Sequence, residues 1–254
     1  MNYFDLKTAA ERYARGRPYC HPQVIHAIKA YLALTGPVEY AIDVGCGTGL
    51  STLALKEIAQ KIVGTDISAE MIAFAPVDPQ IEYTLAPAEA LPVRGAYFDL
   101  MTLSCVFHWI DRGAFFKEAR RVLRSQGWLV VYNNDFTAQM LENRAFQPWF
   151  QETYFKKYPT PPRNWDKFGM EASEKEGFHF RKQEGYQNPL KYSLKDLVDY
   201  LVTQSNVIAC VEGGSQTIEA AINWLAENIQ PFFGERTEAT FIFGGTILYL
   251  QKAN

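Results

Sequence analysis

Residues 43–49 read Asp-Val-Gly-Cys-Gly-Thr-Gly, closing the apolar run Tyr40-Ala-Ile-Asp-Val. Gly45, Gly47 and Gly49 alternate through the turn, with Cys46 between the first two. Glycine adopts positive φ without steric cost and lets backbone approach a ligand closely, so such a turn can hold a nucleoside. Position 50 is Leu, where the dinucleotide fingerprint needs its third glycine, so NAD(P) is disfavoured. Asp66 ends the next apolar run and is followed by Ile67. A carboxylate there can accept hydrogen bonds from both hydroxyls of a ribose, or can simply oppose the charge of a helix start. A third segment, Leu103-Ser-Cys-Val-Phe-His-Trp-Ile-Asp111, places His108 and Trp109 just after another apolar run. His108 has the pKa range to take a proton from a hydroxyl or to pair with a carboxylate, though a histidine lining a cleft can also be bonded to backbone. Trp109 can pack on a ligand or close the core.

These residues need elements to hold them at one edge. Apolar periodicity predicts a helix over 22–34, then strands over 40–44, 61–66, 81–86, 97–105 and 128–132. Helices are predicted over 50–60, over 69–75 with Ser68 as cap, and from the Asp111 cap through 124. Strands alternating with helices at this spacing make an α/β, doubly wound, mostly parallel sheet. Seven strands are expected. After 133 the rhythm breaks: 134–175 is read as a helical cap insertion with prolines at 159, 161 and 162. A strand over 178–194, helices over 194–207 and 215–229, and a last strand over 240–251 bent at Gly244-Gly245 complete the reading. The whole is taken as one domain: an N-terminal helical segment to 36, a nucleotide-binding core over 37–133, the insertion, and C-terminal strands with helices over 176–254.

Composition narrows the class. Of 254 residues, 48 % are hydrophobic and 21 % charged, ordinary for a globular protein with room for a core. A net charge of −3 argues against a nucleic-acid surface. The four cysteines are far apart and form no C-x-x-C pair, so neither a metal site nor a disulfide framework is expected. Residues 1–7 lack the regions of a secretory leader, and no apolar run approaches the ~18 residues of a membrane span, so a cytoplasmic protein is expected. Between 156 and 182, seven Lys/Arg face four Asp/Glu. That excess can attract an anionic substrate or be a solvated surface.

Asp43 and the glycine loop resemble the first motif of the class I S-adenosylmethionine-dependent methyltransferases of the small-molecule (methyltransferase type 11) group. Tyr13-Ala-Arg-Gly-Arg17-Pro18-Tyr19, the His108-Trp109-Ile-Asp111 run and Tyr200-Leu-Val-Thr-Gln-Ser205 resemble the trans-aconitate methyltransferase-like branch. The resemblance implies S-adenosylmethionine as cofactor and a small-molecule acceptor methylated on a carboxylate or hydroxyl oxygen. It places Arg17 at the cofactor's methionine carboxylate, and Ala88 and Glu89 beside the adenine. Pro87 stands where relatives carry an Asp that reads the exocyclic amine, leaving the Ala88 N–H for the base. Asp43, Gly45, Cys46, Gly47, Gly49, Asp66, Ile67, Ser104 and Cys105 complete the expected cofactor shell. Tyr13, Tyr19, His108 and Trp109 are the expected acceptor pocket, with His108 as base if the acceptor is a hydroxyl. Ser104-Cys105-Val106-Phe107 replaces the Asn/Asp-Pro-Pro-aromatic tetrad of nucleobase methylation, which is disfavoured. Carbon methylation of a quinone- or sterol-like acceptor, and a cofactor-binding protein without turnover, remain alternatives.

Overall fold

A computed structural model describes residues 6–164, 166 and 168–254. Lys167, counted in the basic segment, and residues 1–5 of the leader reading lie outside the described residues. The chain forms two compact units. The sheet unit comprises Tyr19–Asn134, Arg163–Tyr186 and Gly245–Asn254. The helical unit comprises Met1–Pro18, Asp135–Pro162 and Gln187–Gly244.

In the sheet unit, β1 (Val38–Val44), β2 (Ala59–Asp66), β3 (Ile81–Leu85), β4 (Phe98–Ser104) and β5 (Leu123–Tyr132) are parallel, in the order β3-β2-β1-β4-β5. Side chains alternate across these strands, as the pleat requires. Ile42, Val44, Met101, Leu103, Leu129 and Val131 meet Phe115, Phe116, Ala119 and Val122 of the Arg112–Val122 helix. The intervening Ala41, Leu100, Val130 and Tyr132 meet Val24, Ile25 and Ile28 of the His21–Tyr31 helix. Burial on both faces explains why these strands read as nearly continuous apolar runs. Each such Val, Leu, Ile or Phe contributes about 1.5–3 kcal/mol relative to an exposed side chain. Strand order reverses between β1 and β4, whose carboxyl ends carry the glycine loop and the 104–111 segment. That switch point is where open α/β sheets bind ligands.

The helical unit holds β6 (Asp135–Met140) and the helices Lys7–Gly16, Leu194–Leu201, Ser205–Glu212 and Ile218–Phe233. β6 runs antiparallel to residues 241–244 of a long strand that becomes β8 (Glu238–Lys252), preceded by β7 (Phe178–Ser193). The other half of β8, residues 247–251, runs antiparallel to β5 in the sheet unit. An aromatic core of Phe136, Phe146, Phe150, Tyr154, Tyr200, Phe241 and Phe243 fills the helical unit. Phe150 and Tyr154 stack with centroids 4.2 Å apart.

Four readings of the sequence are corrected. The segment expected to be a helical insertion opens with a strand, β6, because Phe136, Ala138 and Met140 alternate with polar residues at period two. The strands therefore number eight among the described residues. The helix expected over 50–60 stops at Ala54, tightens into a 3-10 turn over Leu55–Glu57 and yields to β2 at Ala59, which pairs with Val38. The helix expected over 194–207 is two helices. The Thr203 hydroxyl bonds the Tyr200 carbonyl at 2.6 Å, and Gln204 is extended before Ser205.

Candidate active site

Gly45, Gly47 and Gly49 take φ of +72°, +54° and +79°. A Cβ on Gly45 would lie 2.4 Å from Val106 Cγ2, so the first glycine lets the β4 loop press against the turn. At Gly47 a Cβ would lie 3.2 Å from Met71 Cε, a tight contact with the end of a flexible side chain. The Gly45 and Cys46 N–H groups donate to Thr65 O at 2.7 and 2.9 Å. Beneath the turn, fully buried Asp43 accepts from the hydroxyls of Ser51, Thr52 and Thr102 at 2.6, 2.7 and 2.8 Å. Burial pushes its carboxyl up and the three hydroxyls oppose that. Asp43 thus braces β1, β4 and the helix start rather than facing the cleft. Asp66 accepts from Gly47 N–H at 2.8 Å and from Ser68 N–H at 2.9 Å, so it sits at the rim and shapes the turn. Ile67 beside it is 64 % exposed. The Cys46 thiol is buried, and desolvation raises its pKa, so it stays protonated.

The loop after β3 leaves beside Asp66: Ala86 N–H donates to Asp66 O at 2.8 Å. Ala88 is buried, and among the described residues no group accepts from its N–H. Glu89 accepts from Asp111 N–H at 2.8 Å. Ser104 ends β4 and pairs with Tyr132 of β5, whose hydroxyl meets His21 Nδ1 at 2.9 Å. Cys105 adopts φ +58°, in the left-handed region, donates its N–H to Tyr132 O at 2.9 Å and accepts from Asn134 N–H through Sγ at 3.3 Å. A non-glycine residue there costs about 1–2 kcal/mol. This turn places Val106 over Gly45.

His108 is held by groups that were not singled out in the sequence. Arg163 Nη1 lies 3.3 Å from His108 Nε2. A guanidinium only donates, so Nε2 accepts and the ring proton sits on Nδ1. Burial first, then the charges of Arg163 and Arg112, lower the His108 pKa to about 4. Arg163 also lies over the half-exposed Trp109 ring, at 4.6 Å. Arg112 donates to the carbonyls of Phe107, Asn164 and Asp166 at 3.2, 3.2 and 2.8 Å, tying Asn164 and Asp166 to the β4 loop. A cavity of about 240 Å³ opens here. Phe107, Phe168, Val131 and Leu248 give it apolar walls, with Asn133 and His108 among its polar groups. Arg112 and Arg163 carry no local sequence signal, because about fifty residues separate them (112 to 163).

Tyr19 is 48 % exposed, its ring edge-on to His21 at 6.2 Å. Tyr13 and Arg17 belong to the helical unit. There the Arg17 guanidinium lies 4.4 Å from the Tyr13 ring and 5.2 Å from the Tyr200 ring, and donates to Thr203 O at 3.0 Å. Among the described residues no cluster of His, Cys, Asp or Glu could hold a metal ion, and no helix is long and apolar enough to cross a membrane.

The surroundings suit an adenine nucleoside: an acidic rim at Asp66, exposed Ile67, the Ala88 N–H, and a glycine turn at the carboxyl end of β1. Residues 42–131 match the methyltransferase domain family. A Dictyostelium discoideum protein named as a methyltransferase is 25 % identical over 189 residues, spanning 71 % of this chain and 69 % of its own. A malonyl-[acyl-carrier protein] O-methyltransferase of Hahella chejuensis is 38 % identical over 105 residues, 39 % of this chain and 38 % of its own. A solved structure from Anaeromyxobacter dehalogenans, named as a type II methyltransferase, shares the fold with a TM-score of 0.71 at 20 % identity, covering 93 % of this chain and 97 % of the other. Residues 42–131 thus carry a methyltransferase domain, and the similarity to proteins named as methyltransferases supports an S-adenosylmethionine-dependent methyltransferase.

Proposed function

We propose that the protein methylates a carboxylate oxygen of a small anionic acceptor seated in the cavity beside His108. The observation that carries this reading is the occupied Nε2 of His108. A neutral imidazole whose lone pair accepts from Arg163 is a poor base, and a carboxylate nucleophile needs none. Arg112 lines the cavity and Arg163 lies against His108, so positive charge stands where an acid would be drawn and oriented. The O-methyltransferase relative and the branch resemblance agree with an acid acceptor.

The bound cofactor supplies a methyl activated by a positive sulfur. The residues of this chain then have three tasks. Asp66 would hold the ribose diol, since a carboxylate accepts about four hydrogen bonds and can serve loop and sugar together. With Asp66 at the ribose, the Ala88 N–H after β3 would be available to the base, and residues at the ends of β1 and β4 would hold the methyl-bearing end. Val106, Phe107 and Trp109 would exclude water from the line of transfer, and positioning rather than proton transfer supplies the rate. Tyr19, in the same unit as the glycine turn, is a proposed contact of the acceptor.

The test is a mass-spectrometric screen of purified protein with S-adenosylmethionine against small di- and tricarboxylic acids, their alcohol analogues and isoprenoid quinols. Methyl-ester formation, reduced at least about tenfold by Asp66→Ala, is expected; losing one charge-assisted contact costs about 1.5–3 kcal/mol. Turnover of alcohols that rises with pH, or of quinols on carbon, with acids inert, would overturn the carboxylate assignment.

A further inference from the structure

We propose that Glu118 and Arg121 on the Arg112–Val122 helix are positioning residues that set how the base end of the cofactor is read. The inference rests on the cofactor orientation proposed above. Residues 86–93 form the loop after β3, in which Ala90 N–H donates to Pro87 O at 3.2 Å and Val93 N–H to Leu91 O at 2.8 Å. Pro87 and Pro92 contribute no backbone N–H, and no helix or strand covers the segment. Side chains of the neighbouring helix fasten it to the sheet unit. Glu118 Oε1 accepts from Leu91 N–H at 2.8 Å. Arg121 donates to Leu91 O at 2.8 Å and to Val93 O at 2.7 Å. The two side chains pair through both carboxylate oxygens, at 2.8 and 2.6 Å, so each holds the other in place. Arg121 in turn keeps the Glu118 carboxyl below its ordinary range, so the clamp is charged at neutral pH.

The loop is fastened at its other end to the same helix. Glu89 accepts from the N–H of Asp111, and Asp111 caps the helix by accepting from Ala114 N–H at 3.0 Å. The opposite helix face, Phe115, Phe116, Ala119 and Val122, is locked in the core. The loop therefore takes its position from a rigid element at two points. Ala88, whose N–H has no acceptor among the described residues, lies just ahead of both. An N–H presented this way can discriminate a ring nitrogen acceptor from a protonated one, but only while the loop is held. Leu91, 3 % exposed, anchors the apolar side of the loop and leaves the polar side to the clamp.

The experiment compares S-adenosylhomocysteine with S-inosylhomocysteine, in which the 6-amino group is replaced by oxygen and N1 becomes protonated. Binding is measured by calorimetry on the full chain, with thermal melts as the folding control. Wild type should prefer the adenosine ligand. Glu118→Ala should weaken S-adenosylhomocysteine about tenfold and S-inosylhomocysteine by much less, collapsing the preference. In turnover KM for S-adenosylmethionine rises while kcat at saturation holds. Arg121→Lys should recover part of the preference that Arg121→Ala loses, since a lysine reaches one carbonyl. If Glu118→Ala does not fold, Glu118→Gln, which keeps the acceptor for Leu91 but not the charge, is read on the same pair of ligands. Equal weakening of both ligands, or no weakening, in a folded variant overturns the clamp. Failure of wild type to bind either ligand would instead sink the cofactor reading, and binding without preference would show that the loop does not read the base.

Discussion

The glycine turn and the His108 corner lie at carboxyl ends of strands in the same unit, yet they are built in opposite ways. The turn is made of near neighbours. Asp43, its hydroxyl partners Ser51 and Thr52, and the three glycines fall within ten residues, and the turn's work is done by backbone. The His108 corner is made of side chains from distant stretches, with Arg163 and Asn164 meeting His108 and Arg112 across about fifty residues of chain. Backbone sites tolerate no side-chain change at their glycines, whereas side-chain sites can change specificity one residue at a time. The turn suits a shared cofactor, and the corner a particular acceptor.

That contrast can be broken in order of expected effect. Gly45→Ala places a Cβ at φ +72° and 2.4 Å from Val106, so S-adenosylhomocysteine affinity should fall at least about 100-fold, because strain and clash together exceed ~2.7 kcal/mol. A calorimetric Kd within a few-fold of wild type would show that the turn adapts. Arg163→Ala should raise KM for an acid acceptor about tenfold while leaving S-adenosylhomocysteine binding unchanged. A change in the cofactor Kd instead would mean that the two regions are not separable.

Acid should act on the side-chain region. His21 and His108 both have pKa values lowered to about 4, His21 by burial alone. In the unfolded chain they titrate near ~6.5, so below that pH the unfolded state takes up protons the folded state refuses. Their linkage leaves stability undiminished above about 6.5 and erodes it as pH falls toward 4. His21→Asn should therefore narrow the Tm difference between pH 7 and pH 5. An unchanged difference would exclude His21 as a source of acid lability. The smallest effect is expected at Cys105. Glycine there relieves the left-handed strain and valine worsens it, so urea unfolding should rank Cys105→Gly above Cys105→Val by about 1–2 kcal/mol. The reverse order would mean that the Asn134 N–H bond to Sγ outweighs backbone strain.

Much of the sheet unit is legible residue by residue, because doubly covered strands must be apolar and their ends are punctuated by Gly45, Asp66 and Asp111. The helix limits were less so. Ala59 and Gln60 carry helical periodicity from Leu53, Ala54 and Ile58, but pairing of Ala59 with Val38 draws them into β2. The alternation of Phe136, Ala138 and Met140 that marks β6 is short, and its pairing with β8 is irregular at Ala138, where φ is +57°. The glycine turn from Asp43 to Gly49, the strand-end position of Asp66 and the cap residues Ser68 and Asp111 are written in local residue order, which alone determined where they fall. Only tertiary structure decided that Asp43 is buried under three hydroxyls, that Glu118 and Arg121 hold the loop after β3, and that His108 gives its Nε2 to Arg163. These depend on which distant side chains share a low-dielectric corner, and no local pattern of residues encodes that meeting.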